Sequence, residues 1–250
     1  MIQYQTGGGV ARITLNRPEK RNALNEEAIS EISYAIAQSG QDPEVRVVLI
    51  AGAGQDFCSG MDIAMLDKNS DAGVLDYMDS AKKLADVFLA LRRHPRPVVA
   101  AVRGRALGGG CGLATACDVV LAGESSQFGY PEVNIGFVPA IVMTLLRRSV
   151  SEKRAFDLLT SGEPVGAREA HHVGLISRVY PDTEFEAGVE AYLHSIIQKP
   201  ASAIRLAKDL LYQIDAMPFE ASLQAGVQVN AISRLTEDAR QGFQKFTKKK

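Results

Sequence analysis

The chain has 250 residues, 46% of them hydrophobic, enough to bury the core of one large α/β domain, with or without a helical appendage, and too many for a disordered chain. Its 28 Lys and Arg residues balance its 29 Asp and Glu residues, so charge favours a small or nucleotide-like partner over nucleic acid or an anionic membrane. No apolar run has the length of a membrane span, and no signal-peptide pattern opens the chain. Three cysteines are too few and too irregular for a disulfide framework or a zinc site. We therefore expect a soluble, cytoplasmic protein.

The first part of the chain predicts a strand, a helix and a second strand. Residues 10–15 (VARITL) alternate like a half-buried strand. Asn25 can cap a helix with three isoleucines on one face, at positions 29, 32 and 36. Residues 45–50 (VRVVLI) are apolar enough for a strand buried on both faces, as in a sheet covered by helices.

The middle of the chain predicts a βαβ step. Residues 75–92 first give a helical pattern with three inward-facing side chains, Leu84, Phe88 and Leu91. Residues 97–102 (PVVAAV) predict another buried strand, residues 108–116 a glycine turn that opens a helix, and residues 118–121 a returning strand. Strand, glycine turn, helix and strand together form one βαβ unit.

The last part of the chain is different in pattern. From about Thr183, a possible helix cap, almost every segment has helical periodicity, with Pro200 and Pro218 as breaks. We therefore expect a βα core followed by a helical C-terminal region.

Two glycine-bearing turns follow buried strands of the predicted sheet. One is residues 57–62 (FCSGMD), and the other is residues 108–110 (GGG). Both fall at the carboxyl ends of strands, where open α/β sheets place ligands. Glycine lets the backbone approach a ligand with its N–H groups turned outward, and a following helix adds partial positive charge at its N-terminus. The two turns could form an oxyanion hole, or each could simply be a tight turn.

Five segments in order carry a resemblance to a known family. They are residues 15–18 (LNRP), 22–24 (NAL), 57–62 (FCSGMD), 108–118 (GGGCGLATACD) and 128–139 (FGYPEVNIGFVP). In this series the chain resembles the crotonase (enoyl-CoA hydratase/isomerase) superfamily from about Val10 to the C-terminus. The resemblance implies an α/β fold, a crotonase-like spiral of ββα units, with residues 1–190 as the core and residues 191–250 as a helical trimerisation region. It also implies a homotrimer, or a hexamer built as a dimer of trimers.

The same resemblance implies roles for particular residues. The backbone N–H groups of Met61 and Gly109 would hold the oxygen of an acyl-CoA thioester, and Glu132 would be the catalytic acid/base. The substrate-binding positions carried over from the family are Arg21, Ala23, Ser59, Gly60, Gly108, Tyr130, Pro131, Pro139, Phe246 and Lys249. Of these, Arg21 is a natural phosphate partner, and the two C-terminal residues would complete the nucleotide pocket. CoA is part of the substrate, so no separate cofactor and no metal ion is implied.

The carboxylates bear on the reaction type. Enoyl-CoA hydratases of this family carry a first glutamate three residues beyond the middle glycine, where this chain has Gly112. Two carboxyl groups readily share the proton transfers of hydration, whereas a Δ3-Δ2 double-bond shift needs only one base, so Glu132 alone suits an isomerase. Some relatives described as hydratases nevertheless also carry glycine there. We therefore expect a 2-enoyl-CoA hydratase, with isomerase as the alternative and with Asp79 as a candidate second acid.

Other interpretations of these segments remain open. The chain could be a non-catalytic acyl-CoA-binding relative, and RNA binding has only the basic end, residues 248–250, in its favour. Residues 140–144 (AIVMT) favour an alkyl or alkenyl acyl group if they form a pocket wall, but they could equally be a helix core. Structural roles are expected for Cys58, Cys111, Asp62 and Asp118.

Overall fold

The computed structural model describes residues 1–64 and 73–247, and a six-stranded sheet forms its centre. Its strands are β1 (Ile2–Gly7), β2 (Val10–Leu15), β3 (Val47–Gly52), β4 (Val98–Val102), β6 (Val119–Gly123) and β9 (Arg178–Tyr180). They lie in the order β1-β2-β3-β4-β6-β9; β1 is antiparallel to β2, and every other neighbouring pair is parallel. The strands predicted near residues 10, 45, 97 and 118 are thus confirmed, whereas β1 was not anticipated.

A second, three-stranded sheet positions the later motifs. It consists of β5 (Arg105–Leu107), β7 (Gln127–Gly129) and β8 (Val165–Gly166). Strands β5 and β7 are parallel, with Leu107 opposite Gly129. Because both strands end at this pair, the glycine turn that begins at Gly108 and the segment that begins at Tyr130 leave the sheet side by side.

Helices cover both faces of the large sheet. They are α1 (Glu26–Gln41), α2 (Val74–Arg93), α3 (Gly109–Ala116), α4 (Ala140–Ser149), α5 (Glu152–Ser161), α6 (Ala167–His172), α7 (Phe185–Ile197), α8 (Ala201–Gln213), α9 (Phe219–Leu235) and α10 (Glu237–Thr247). Short 3-10 helices lie at Pro18–Lys20, Pro131–Ile135 and Ile214–Ala216. Within the described part of the chain, no helix has the length and apolarity needed to cross a bilayer.

The capping predictions had mixed outcomes. The Asn25 side chain accepts a hydrogen bond from the Ala28 N–H at 2.9 Å, as a residue that caps α1 should. The Thr183 cap was wrong, because α7 begins only after Glu184, and no side chain caps its first turn.

The core is divided by the large sheet. On one face Val48 and Ile50 of β3 join the main cluster beneath α1 to α6, and on the other face Val47 and Leu49 pack with residues of α7. Strand β3 is therefore buried on both faces, as its continuous apolar run predicts. Because α7 spans residue 190 and packs along the sheet, the predicted boundary between residues 190 and 191 falls inside a helix.

A buried ion pair fastens the C-terminal helices to this core. Lys208 of α8 is 7% exposed, and its Nζ donates to Asp118 Oδ2 at 2.7 Å and to the backbone carbonyls of Leu91 and Arg96. Tyr212 donates to Asp118 Oδ1 at 2.6 Å. Asp118 Oδ2 also accepts the Val98 N–H, so the backbone role predicted for Asp118 is confirmed, and its role as an anchor for α8 is new.

Candidate active site

The two predicted glycine turns lie against each other. Cys58 exchanges hydrogen bonds with β5: its N–H donates to the Arg105 carbonyl at 3.0 Å, and its carbonyl accepts from the Leu107 N–H at 2.9 Å. This pairing brings the Gly60 turn (residues 57–62) to the Gly108 turn (residues 108–110). A Cβ built on Gly109 would lie 3.7 Å from the Met61 nitrogen, so the backbone at these two positions is in close contact.

Glycine is required at two positions in these turns. Gly60 and Gly108 have φ angles of +98° and +50°, which side-chain-bearing residues rarely adopt. A Cβ on Gly108 would also lie 2.6 Å from Glu132 Oε1. Hence the Gly108 turn leaves room for the Glu132 carboxyl group.

The backbone N–H groups of Met61 and Gly109 are candidate donors to a ligand. Neither donates to any acceptor among the described residues, whereas the neighbouring Asp62 N–H donates to the Leu24 carbonyl at 2.8 Å. Gly109 is the first residue of α3, so its N–H belongs to the positive end of a helix dipole. Two adjacent donors are therefore available to a ligand oxygen.

Glu132 lies beside these donors in the 3-10 helix that starts at Pro131. Its side chain is half-buried, and Oε2 is buried without a hydrogen-bond partner in the described residues. Burial raises the pKa of the Glu132 carboxyl group, because the ionised form loses hydration. A raised pKa suits a carboxyl group that must both accept and return a proton near neutral pH.

These groups face a cavity of about 870 Å³. One wall comes from helix α2, through Asp76, Tyr77, Ser80, Ala81 and Leu84. A second wall is the run from Ile135 to Val142, and Met61, Gly109, Glu132 and Glu26 also line the cavity. Both interpretations of residues 140–144 are therefore correct in part, because the segment begins α4 and its first three residues line the cavity.

The first motifs of the chain brace the Gly60 turn. Arg17 donates to Asp62 Oδ2 at 3.2 Å and to the Ala23 carbonyl at 2.7 Å. Asn22 is buried and donates to the carbonyls of Ala53 and Asp56. The structural role expected for Asp62 is thus confirmed, and Arg17 and Asn22 are site-supporting residues to which sequence analysis gave no role.

The cysteines beside the turns are buried and free. Burial raises the pKa values of Cys58 and Cys111 to about 12, so both remain protonated thiols near neutral pH. Their expected structural role is confirmed. Across the described residues, no group of three or more His, Cys, Asp or Glu side chains is placed to hold a metal ion.

The predicted substrate-binding residues are found in several environments. Pro139 lines the cavity. Arg21 is exposed, and its carbonyl accepts the Ser59 N–H at 3.0 Å, which places its segment against the Gly60 turn. Ala23 is 9% exposed and lies outside the cavity lining. Phe246 falls in α10, whereas Lys249 and the rest of the basic end lie outside the described residues.

Tyr130, predicted as a substrate-binding residue, lies in the core instead of at the cavity. Its side chain is fully buried in the main core cluster, so its ring cannot contact a ligand in the cavity. The physical reason is the two-residue period of the extended chain, which turns Tyr130 to the same buried side as Phe128. That spacing was visible in the sequence and was the signal for a core position.

Helix α2 contributes lining residues that sequence analysis did not single out. Leu84 was expected to face inward, and one helical turn towards the N-terminus lies Ser80, a polar residue on the same wall. Asp79, proposed from sequence as a second acid, is exposed and does not line the cavity. The α2 carboxylate that does is Asp76, which accepts the Gly73 N–H at 3.0 Å.

Gly112, where the resemblance would lead one to expect a first glutamate, is surrounded by hydrocarbon. A Cβ built on Gly112 would lie 2.3 Å from Val142 Cγ1 and 2.9 Å from Phe88 Cζ. Such distances are below any real Cβ contact, so no side chain fits at position 112 unless its neighbours move. Val142 and Phe88 therefore occupy the space that a side chain at position 112 would need.

A parallel-rich sheet covered by helices, with two glycine turns and the half-buried Glu132 carboxyl group at a largely apolar cavity, defines an α/β protein with a candidate ligand site. Comparison with known proteins then assigns the family. The family model described as Enoyl-CoA hydratase/isomerase matches residues 5–250. The chain belongs to this family, and the resemblance found in sequence is confirmed.

Individual relatives agree with this assignment. The chain is 37% identical to a Thermus thermophilus protein assigned as an enoyl-CoA hydratase, over 100% of this chain and 98% of the relative. It is 33% identical to the 2,3-dehydroadipyl-CoA hydratase of Escherichia coli, over 96% and 93% of the two chains. The crystal structure of a Mycobacterium smegmatis enoyl-CoA hydratase matches with a TM-score of 0.95 at 30% identity, over 100% and 96%. The crotonase-like fold is thereby confirmed.

Proposed function

We propose that this protein hydrates a 2-enoyl-CoA, with the thioester oxygen bound by the N–H groups of Met61 and Gly109. The observation that carries the proposal is that two backbone N–H groups, which have no acceptor among the described residues, line one largely apolar cavity together with the Glu132 carboxyl group. Relatives named as hydratases support hydration as the reaction.

The backbone donors would act on the charge that develops during addition. When water adds at C3 of the enoyl group, the electrons of the double bond move towards the thioester oxygen, and a thioester enolate forms. Hydrogen bonds to that oxygen strengthen in the transition state, which is the differential binding that catalysis needs. One such donor is typically worth roughly 3 kcal/mol. The dipole of α3 adds to the effect at Gly109.

Glu132 would carry the protons. As a carboxylate it accepts a proton from the attacking water while the oxygen–C3 bond forms. As a carboxylic acid it then returns a proton to C2, which neutralises the enolate and regenerates the carboxylate. Its raised pKa supports both roles, because a base of higher pKa binds the proton more strongly and remains able to release it near neutral pH.

An isomerase is the second candidate, and one observation favours it. Val142 and Phe88 fill the space where a first glutamate would sit, so Glu132 has no carboxylate partner on α3. A double-bond shift needs one base that removes a proton at one carbon and returns it at another. A non-catalytic acyl-CoA-binding protein is the third candidate, and it would bind esters without converting them.

The remaining expectations belong to the same proposal. The CoA nucleotide would lie near Arg21, and Phe246 and Lys249 would approach it from the C-terminal region of the same or a neighbouring subunit. A trimer, or a hexamer of paired trimers, would cover apolar residues of α9 that this chain leaves exposed, such as Phe219 at 73% and Val227 at 63%. Three free, buried cysteines are compatible with a reducing compartment such as the cytoplasm.

The test uses two substrates whose absorbance changes in opposite directions when they are converted. A short 2-enoyl-CoA loses its conjugated thioester absorbance on hydration, whereas a 3-enoyl-CoA gains that absorbance on isomerisation. We expect loss with the first substrate. Gain with the second substrate and no change with the first would establish the isomerase instead. Binding of both esters without conversion of either would leave only the binding protein.

A further inference from the structure

The second wall of the cavity runs from the surface to the core. Ile135 and Val138 are 61% and 60% exposed, whereas Val142, at the end of the run, is 3% exposed. All three line the cavity. The wall therefore has an outer end at Ile135 and an inner end at Val142.

Val142 lines this inner end, and Phe88 packs behind it against Gly112. They come from α4 and α2, respectively, and their side chains meet over Gly112, at the 2.3 Å and 2.9 Å distances from a Cβ built there. Gly112 is fully buried and is not among the described residues that line the cavity. Val142 thus contacts both the cavity and the space directly over the Gly112 backbone.

Helix geometry relates Val142 to the reacting carbons. Gly112 follows Gly109 by three residues in α3, so it lies on the same side of the helix, about one turn further along. A thioester oxygen on the Gly109 N–H places C2 next to the carbonyl carbon and C3 one bond further. If the acyl chain extends along α3 from the Gly109 N–H, a substituent on C3 comes close to Val142, which lies over Gly112.

We propose that Val142 is a specificity-determining residue, which limits the bulk of the acyl group at C3. The inference rests on the function proposed above and deepens it. Because Gly112 has no side chain, shortening Val142 opens apolar space down to the Gly112 backbone and the Phe88 ring. Lengthening Val142 has the reverse effect. The space of one methyl group in an apolar pocket changes discrimination by about tenfold or more.

Two saturated esters test this limit without turnover. Butanoyl-CoA and 3-methylbutanoyl-CoA differ by one methyl group on C3, and neither has a double bond to hydrate. Calorimetric titration gives a Kd for each ester, and the ratio of the two constants measures discrimination. We expect Val142→Ala to shift the ratio about tenfold towards the branched ester and Val142→Ile to shift it towards the linear ester.

Val150→Ala is the matched control. Val150 is 7% exposed in the same core cluster, but it does not line the cavity. The same pair of methyl groups is removed, so a similar loss of Tm should occur with an unchanged Kd ratio. A nonspecific loss of packing in Val142→Ala would weaken both esters equally.

The outcomes separate this inference from the function beneath it. Tight binding of both esters by the unmodified protein, with a Kd ratio that neither Val142 variant shifts, would overturn the role of Val142 alone. Failure of the folded, unmodified protein to bind either ester would overturn the acyl-CoA function and the inference together. A shift in opposite directions for Val142→Ala and Val142→Ile, absent from Val150→Ala, supports the proposal.

Discussion

The two sides of the cavity differ in the chemical groups that they present. On one side the functional groups are two backbone N–H groups and the Glu132 carboxyl group, held by turns in which Gly60 and Gly108 have positive φ angles. Elsewhere the lining is hydrocarbon, with Leu84 on the α2 wall and Val142 on the second wall. The polar side depends on backbone conformation, so side-chain identity at Met61 matters little there. The apolar side depends on side-chain volume. Single substitutions there should therefore change the preference among acyl groups more than the rate of the chemical step.

The largest effect should come from the one carboxyl group on the polar side. Glu132→Gln keeps the shape of the side chain but cannot transfer a proton, so we expect kcat/KM with a 2-enoyl-CoA to fall about 10³-fold. The affinity for butanoyl-CoA should stay within about threefold, because the neutral amide resembles the protonated acid. Steady-state absorbance assays and calorimetry measure the two quantities.

Asp79→Asn is the matched control for that prediction. Asp79 is exposed on α2, outside the cavity lining, and its charge removal should leave kcat/KM unchanged. A large loss of activity in this variant would contradict the single-carboxylate account and restore Asp79 as a second acid.

A smaller loss of activity should follow from adding a side chain at Gly108. In Gly108→Ala the new Cβ would lie 2.6 Å from Glu132 Oε1, so the carboxyl group must move, and we expect kcat to fall about a hundredfold. Gly8→Ala provides the control, because Gly8 also has a positive φ of +58° but open space around it. That variant should lose stability through backbone strain alone, with kcat unchanged. Equal kcat values for the two variants would show that glycine is not needed at position 108 to keep the Glu132 carboxyl group in place.

On the apolar side, a substitution at Gly112 should lower the stability of the fold. Gly112→Ala forces a Cβ against Val142 and Phe88, and we expect Tm to fall by about 3–8 °C from overpacking. Removing the Val142 methyl groups relieves part of this contact. The Tm loss of Gly112→Ala with Val142→Ala should therefore be smaller than the sum of the single losses, whereas Gly112→Ala with Val150→Ala should be additive. Additivity in both pairs, measured by calorimetry, would show that Val142 does not fill the space over Gly112.

The smallest expected effect is a pH-dependent change in Tm caused by the ionisation of Glu132. Because burial raises the pKa of Glu132 in the folded protein, the protonated side chain favours folding, and this contribution is lost as pH rises through the folded-state pKa. Gln mimics the protonated form, so Glu132→Gln should raise Tm by about 2 °C at pH 8 and leave it unchanged at pH 4. A Tm that falls at pH 8 in this variant would mean that the ionised carboxylate is stabilised by its surroundings.

Much of the backbone arrangement could be predicted from sequence. Residues 45–50 show an unbroken apolar run because β3 is covered on both faces, and residues 108–116 show small residues because α3 starts in a tight contact. Glu132 could be placed in the site only by the family resemblance, since a lone glutamate after a proline has no periodicity to interpret.

The parts that could not be predicted depend on contacts between distant segments. Strand β5 has three residues, too few for a periodic pattern, and its pairing with β7 is what brings Gly108 beside Glu132. The filling of the space over Gly112 by Val142 and Phe88 joins three helices and has no local signature. The Lys208–Asp118 pair spans 90 residues, and nothing in either segment indicates the other.

The central claim is that the Met61 and Gly109 N–H groups polarise the thioester carbonyl. Binding a 2-enoyl-CoA labelled with ¹³C at the carbonyl to Glu132→Gln, which should not turn it over, allows the carbonyl resonance and the absorbance band to be compared between bound and free ester. We predict a downfield carbonyl shift and a band at longer wavelength for the bound ester, because both donors draw electrons towards the oxygen. A bound ester with the resonance and the band of the free ester would contradict the account.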